Sequence, residues 1–210
     1  MLLALHIAVL GYWLGSEFVI NSEYRFVVRR ADLPVAARNA MLDHVMQMDQ
    51  HVRYALVLQA ALGMMLMAGM GLVPGSLMWL APLAGLAWLA MVEATHRTRN
   101  MPIGQHLARI DRLLRYGLAT ILVAAALATP EWPGWLRIKL ALFAGVIGCG
   151  VLIRLELILH FKVWHEIVAQ GSTSAHEAAL QAIYRKATGI LLVLWSQIAA
   201  IALLAVFKPS

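Results

Sequence analysis

Residues 2–20 read LLALHIAVLGYWLGSEFVI, nineteen positions that include one imidazole, His6, and one carboxylate, Glu17. A helix needs roughly 20 predominantly apolar residues to cross a hydrocarbon core about 30 Å thick. In lipid the backbone must satisfy its own hydrogen bonds, and no period-two alternation runs over strand lengths here, which leaves a transmembrane helix. A titratable ring inside such a helix is a functional-site candidate by default, because a polar group buried without a partner is costly.

The rest of the chain has the same character. Of its 210 residues 61% are apolar and 13% charged, with mean hydropathy +0.74. Soluble domains carry about 25% charged residues. The net charge of +6 and pI near 9.9 would point to nucleic acid in a soluble protein. Here the basic residues lie between apolar runs, where the positive-inside bias accounts for them, so no nucleic-acid partner is expected. The single cysteine, Cys149, excludes an internal disulfide and covalent Cys-x-x-Cys-His haem attachment. The N-terminus enters apolar sequence without a basic leader and reads as a retained helix rather than a signal peptide.

Six spans emerge: Leu2–Ile20, Tyr54–Leu72, Leu77–Thr95, Leu114–Ala128, Leu136–His160 and Ile190–Val206. The expected fold is an all-α integral membrane bundle of six transmembrane helices forming a single domain, 1–210. Residues 22–53 hold Arg25, Arg29, Arg30, Arg38 and Arg53, and residues 96–115 hold Arg97, Arg99, Arg109, Arg112 and Arg115. Residues 161–186 add Lys162, Arg185 and Lys186. The two short connections, 73–76 and 129–134, carry only Glu131. This alternation puts both termini on the non-cytoplasmic side, with Trp79, Trp132 and Trp135 at an outer aromatic belt. It suits a bacterial inner (plasma) membrane.

The chain also repeats weakly. Asp49, Arg53, Tyr54 and Leu56 recur 62 residues later as Asp111, Arg115, Tyr116 and Leu118. Each set is followed by a Pro-Gly turn and then an acid and a histidine, Glu93/His96 and Glu156/His160. Two related helical hairpins, 48–96 and 110–160, are one reading. The other is that Asp starts helices, Arg-Tyr marks interfaces and Pro-Gly makes turns in any case.

Several residues could carry chemistry. His6 and Lys139 both fall toward the outer side, where the lysine either snorkels to the headgroups or faces an anionic group in the interior. Met64, Met65, Met67 and Met70 gather late in the second span. Thioethers suit Cu(I) or a second axial position on haem iron, but they also serve as flexible packing. Four methionines in seven residues cover most of the helix circumference, so at most two, such as Met64 and Met67, could line one site. On the inner side Glu17, Arg154 and Glu156 are expected to pair across helices, Arg154 with Glu17. His96 and His160 are the candidates for a second metal or haem site, and otherwise need no explanation near an interface.

A resemblance enters on three stretches. His6, Trp13, Leu14-Gly15 and Phe18 resemble the first helix of the HemJ/CopD-like integral membrane superfamily, which includes HemJ-type protoporphyrinogen oxidases and CopD copper-resistance proteins. Trp135-Leu136-Arg137-Ile138-Lys139-Leu140 is similar to its W-L-x-x-K-L helix entry. Asp111-Arg112-Leu113-Leu114-Arg115-Tyr116 is similar to the acidic-basic segment leading into the helix before it. The resemblance implies haem b bound through His6, with Trp13 at the cofactor and Lys139 as a functionally important, catalytic neighbour. The chain departs from the HemJ pattern at Val19-Ile20-Asn21-Ser22-Glu23, at Cys149-Gly150 and in an extra hairpin. The likeness therefore carries further for the superfamily than for the oxidase activity.

The function expected from these readings is a haem-binding membrane redox protein. It would exchange electrons with quinone, a cytochrome or a partner subunit, with porphyrinogen oxidation as its enzymatic form, alone or as an oligomer. The competing expectations are copper transport through His6, Met64 and Met67, and a membrane anchor subunit whose polar residues serve helix packing.

Overall fold

The computed structural model describes residues 1–99 and 101–208, all of the regular structure among them helical. Six helices follow in order: α1 Leu2–Arg29, α2 Val35–Gly69, α3 Leu77–Arg97, α4 Pro102–Ala128, α5 Gly134–Gln170 and α6 Ser174–Phe207. Five of them are long and apolar enough to cross a membrane. The sixth, α4, covers the stretch 114–128, but His106, Arg109, Asp111, Arg112 and Arg115 occupy its first half and shorten its apolar run.

The helices outrun the spans. At 1.5 Å per residue, the 37 residues of α5 reach about 55 Å, well beyond a core of about 30 Å. The basic segments expected between spans are largely helical extensions, because sequences such as Ala36-Ala37-Arg38 and Ala182-Ile183-Tyr184-Arg185-Lys186 favour helix on their own. Ends are set by local chemistry. Pro102 opens α4 at the position where a missing N–H costs nothing. Gly171 closes α5 at φ 89°, a backbone conformation that L side chains resist. The Thr173 side chain then accepts the His176 backbone N–H to cap α6. In the α1–α2 turn, Arg30 grips Asp32 with contacts of 2.8–3.1 Å, and this pairing pushes the guanidinium pKa up.

The chain divides into two compact units. The first comprises 1–27 and 36–112, the second 28–35 and 113–210. Within the first unit α1 and α2 run antiparallel in one register, shown by His6 against Gln59, Tyr12 against His51, Glu23 against His44 and Val27 against Arg38. Arg38 is fully buried and its Nε–H donates to the Val27 carbonyl at 3.1 Å, satisfying an acceptor in the last turn of α1. The α2–α3 pair has its own antiparallel register, from Gly69 beside Met78 through Ala61 beside Gly85 to Gln50 bonded to the Val92 carbonyl. Gly85 is required there: a Cβ at that position would lie 2.9 Å from Ala61 Cβ.

In the second unit α5 and α6 pack along most of their length. Leu180, Tyr184, Ala187, Leu191, Leu194, Ile198 and Ile201 recur every three or four residues and form the buried stripe of α6. Glu166 near His176, Glu156 against Lys186 and Gly145 against Gln197 show one antiparallel register over about 30 Å.

Candidate functional site

The α1–α2 register fixes which residues of the two helices meet. His6 meets Gln59 of α2, ten residues before the end of that helix at Gly69, or about 15 Å along it. Toward the other end, Tyr12 is six residues from His6, about 9 Å along α1. His6 and Gln59 thus sit inside the apolar zone of the first unit. Apolar runs report how long a segment is, not which residues of two segments meet.

The geometry of this pair is specific. His6 is 9% exposed and Gln59 7%. The Gln59 amide nitrogen lies 3.0 Å from His6 Nε2. A Cβ built on Gly63, one turn along α2, would fall 3.6 Å from His6 Cε1, so the α2 backbone closes on the ring edge in ordinary contact. The Gln59 carbonyl oxygen is buried and has no hydrogen-bond partner among the described residues. An unmet acceptor of this kind costs about 1–3 kcal/mol. Met67, eight residues after Gln59 and four after Gly63, lies on the same helix face, whereas Met64 does not. Both methionines are half-buried.

Trp13 is buried on the same face of α1, two turns from His6, and its indole N–H donates to Glu17 at 3.3 Å. Glu17 lies near Asp49, in a polar layer of the unit. There Tyr12 and His51 share a 2.6 Å hydrogen bond, and Arg53 holds Asp49 at 2.7 Å. Tyr54 donates to Glu93, which also takes Arg97, and the Trp88 indole donates to Asp111 at 2.8 Å. Outside this layer, His44 Nδ1 lies 2.9 Å from the Glu23 carboxylate in an open cleft of about 490 Å³ that includes Phe26 and Met41.

In the second unit Lys139 is half-buried near the start of α5. Glu156 is buried, and its partner is Lys186 of α6, at 2.6 Å. His160, fully buried, stacks on Trp164 with ring planes 7° apart and meets Phe161 edge-on. Arg154, on the exposed face of α5, belongs to this unit while Glu17 belongs to the first; His96 and His160 are divided in the same way, as are His6 and Lys139.

Haem b or a metal ion at His6 would need an imidazole held in apolar surroundings, and His6 fits by residue type, burial and the unmet acceptor beside it. Among the described residues no group of three or more His, Cys, Asp or Glu side chains could hold a metal ion. A metal at His6 would therefore draw its other ligands from thioethers or bring them with it, as iron in a porphyrin does. Sequence reasoning passed over Gln59 and counted Lys186 and Arg38 only as charges of the connecting segments. Gln59 could have been found by the rule that singled out His6: it is an amide in the middle of an apolar run. No family model matches the chain, and no curated protein or solved structure was found to match it.

Proposed function

We propose that the chain is a multi-pass membrane redox protein that binds haem b through His6 and passes electrons between a reduced substrate and quinone, a cytochrome or a partner subunit. The observation that carries the reading is the buried His6 imidazole in the apolar zone of a membrane-spanning unit, against the polar amide of Gln59. The likeness of His6, Trp13 and Lys139 to HemJ/CopD-like positions adds to it and makes porphyrinogen oxidation the enzymatic form to test first. A bacterial inner membrane is the setting this reading expects.

The bound haem would supply one-electron chemistry. The chain's own part is to hold and shield. His6 would be the ligand and Met67 the methionine on the favourable face. Trp13, held by its hydrogen bond to Glu17, walls the inner side of α1. Apolar neighbours keep water from the ring. The resemblance also implies a functional role for Lys139, in the second unit.

Absorbance spectra of wild type and His6→Ala, purified from haem-replete cells, test the assignment. A Soret band in wild type that is lost in the variant supports it; a band of equal strength in both refutes His6 as ligand. Copper retained through dialysis by the wild type, and lost on replacing His6 and Met67 together, would instead favour copper handling.

A further inference from the structure

The open cleft of the first unit is shared by α1, through Glu23 and Phe26, and α2, through Met41 and His44. Met41 and His44 are three residues apart on one face of α2, and Met48 follows on that face four residues after His44. The imidazole is held from α1. Both Glu23 carboxylate oxygens lie 2.9 Å from His44 Nδ1, so the ring nitrogen left for a ligand is Nε2. A carboxylate behind the ring in this way is the common support of a metal-ligating histidine. We propose that the cleft binds a soft monovalent cation, Cu(I), through His44 Nε2 and Met41 Sδ, with Met48 Sδ as third donor and Glu23 as positioning residue. The site is separate from His6 and does not rest on the haem reading.

The donor set selects the ion. Thioethers are soft ligands that suit Cu(I), and imidazole suits copper in general. Among the described residues no group of three or more His, Cys, Asp or Glu side chains could hold a metal ion, so Zn2+ lacks its usual ligands in this cleft. Met41 and His44 are both exposed, which gives the ion a way in. Binding forms one Cu–N and at least one Cu–S bond. Where the ring carries a proton on Nε2, that proton passes to solvent, and the copper stays monovalent throughout.

The test titrates full-length protein in detergent with Cu(I) under anaerobic conditions, against the coloured chelator bicinchoninate. The His6→Ala, Met67→Leu double variant serves as background, so that copper held at His6 is not counted. The expected result is one tightly held Cu(I) per chain in that background. Loss of a partner behind a metal ligand costs about 10–100-fold in affinity. Glu23→Gln should fall in that range, and Met41→Leu and His44→Gln at its upper end or beyond. Met46→Leu, two residues from His44 and on another face of α2, should leave affinity unchanged. Met41→Leu conserves side-chain volume at an exposed position, so this variant keeps the fold, with helix content by circular dichroism as the check. No competition with the chelator, unchanged affinity in any of the first three variants, or an equal loss in Met46→Leu overturns the proposal. A wild type that holds copper beside a background that holds none would place the copper at His6 and overturn it as well.

Discussion

At the scale of single residues, the molecule is governed by polar groups that meet in pairs inside apolar surroundings. Arg38 shows what such a group does when its role is structural. Its guanidinium is wholly buried and satisfies the Val27 carbonyl near the end of α1. Arg38→Met keeps the aliphatic stem but removes the donor, and should destabilise the protein by about 1–3 kcal/mol, read as a lower thermal midpoint in detergent with helix content preserved. His6 and Gln59 differ in that the amide leaves one capacity unmet. The imidazole was legible in the sequence because a histidine stands out in an apolar run. Its glutamine partner was not, because pairing depends on the register of two helices, which no single apolar stretch encodes.

At the scale of elements, close contacts between helices determine which substitutions are tolerated. Gly85→Ala would set a Cβ 2.9 Å from Ala61 Cβ, an atom fixed by its own helix, so α2 and α3 must part. Gly145→Ala meets the end of the Gln197 side chain at 2.9 Å, which can rotate away. Thermal unfolding should therefore show a loss of about 1–3 kcal/mol at Gly85 and a distinctly smaller one at Gly145; equal losses would contradict this packing. Between α5 and α6, Glu156 is 8% exposed and its partner Lys186 68%. Lys186→Met strands a buried carboxylate and should cost about 1–3 kcal/mol, below the full buried-pair value because the ammonium is solvated. Adding Glu156→Gln should recover part of that loss in a double-mutant cycle. The existence of six helices was readable from hydropathy. Their ends were not, because the basic segments are also good helix formers and continue each helix beyond its apolar run, as α2 does from Val35.

At the scale of the whole molecule, composition alone established an all-α membrane protein, and five helices have the length and apolarity to cross a bilayer. The orientation argued from charge, with the basic connections inside and both termini outside, is tested by single cysteines in a Cys149→Ala background. Cysteines at Ser76 and Glu131 should react with an impermeant maleimide in intact cells, and one at Arg30 only after permeabilisation; the reverse pattern would invert the topology. Chemistry was less legible than architecture, since one histidine, one lysine and a run of methionines suit more than one cofactor. The central claim is that this chain holds haem, and the most direct measurement is haem content per polypeptide in protein purified from haem-replete cells. One non-covalent haem b per chain, abolished by His6→Ala, is the predicted result; a fully folded chain with no haem and no Soret absorbance would contradict it.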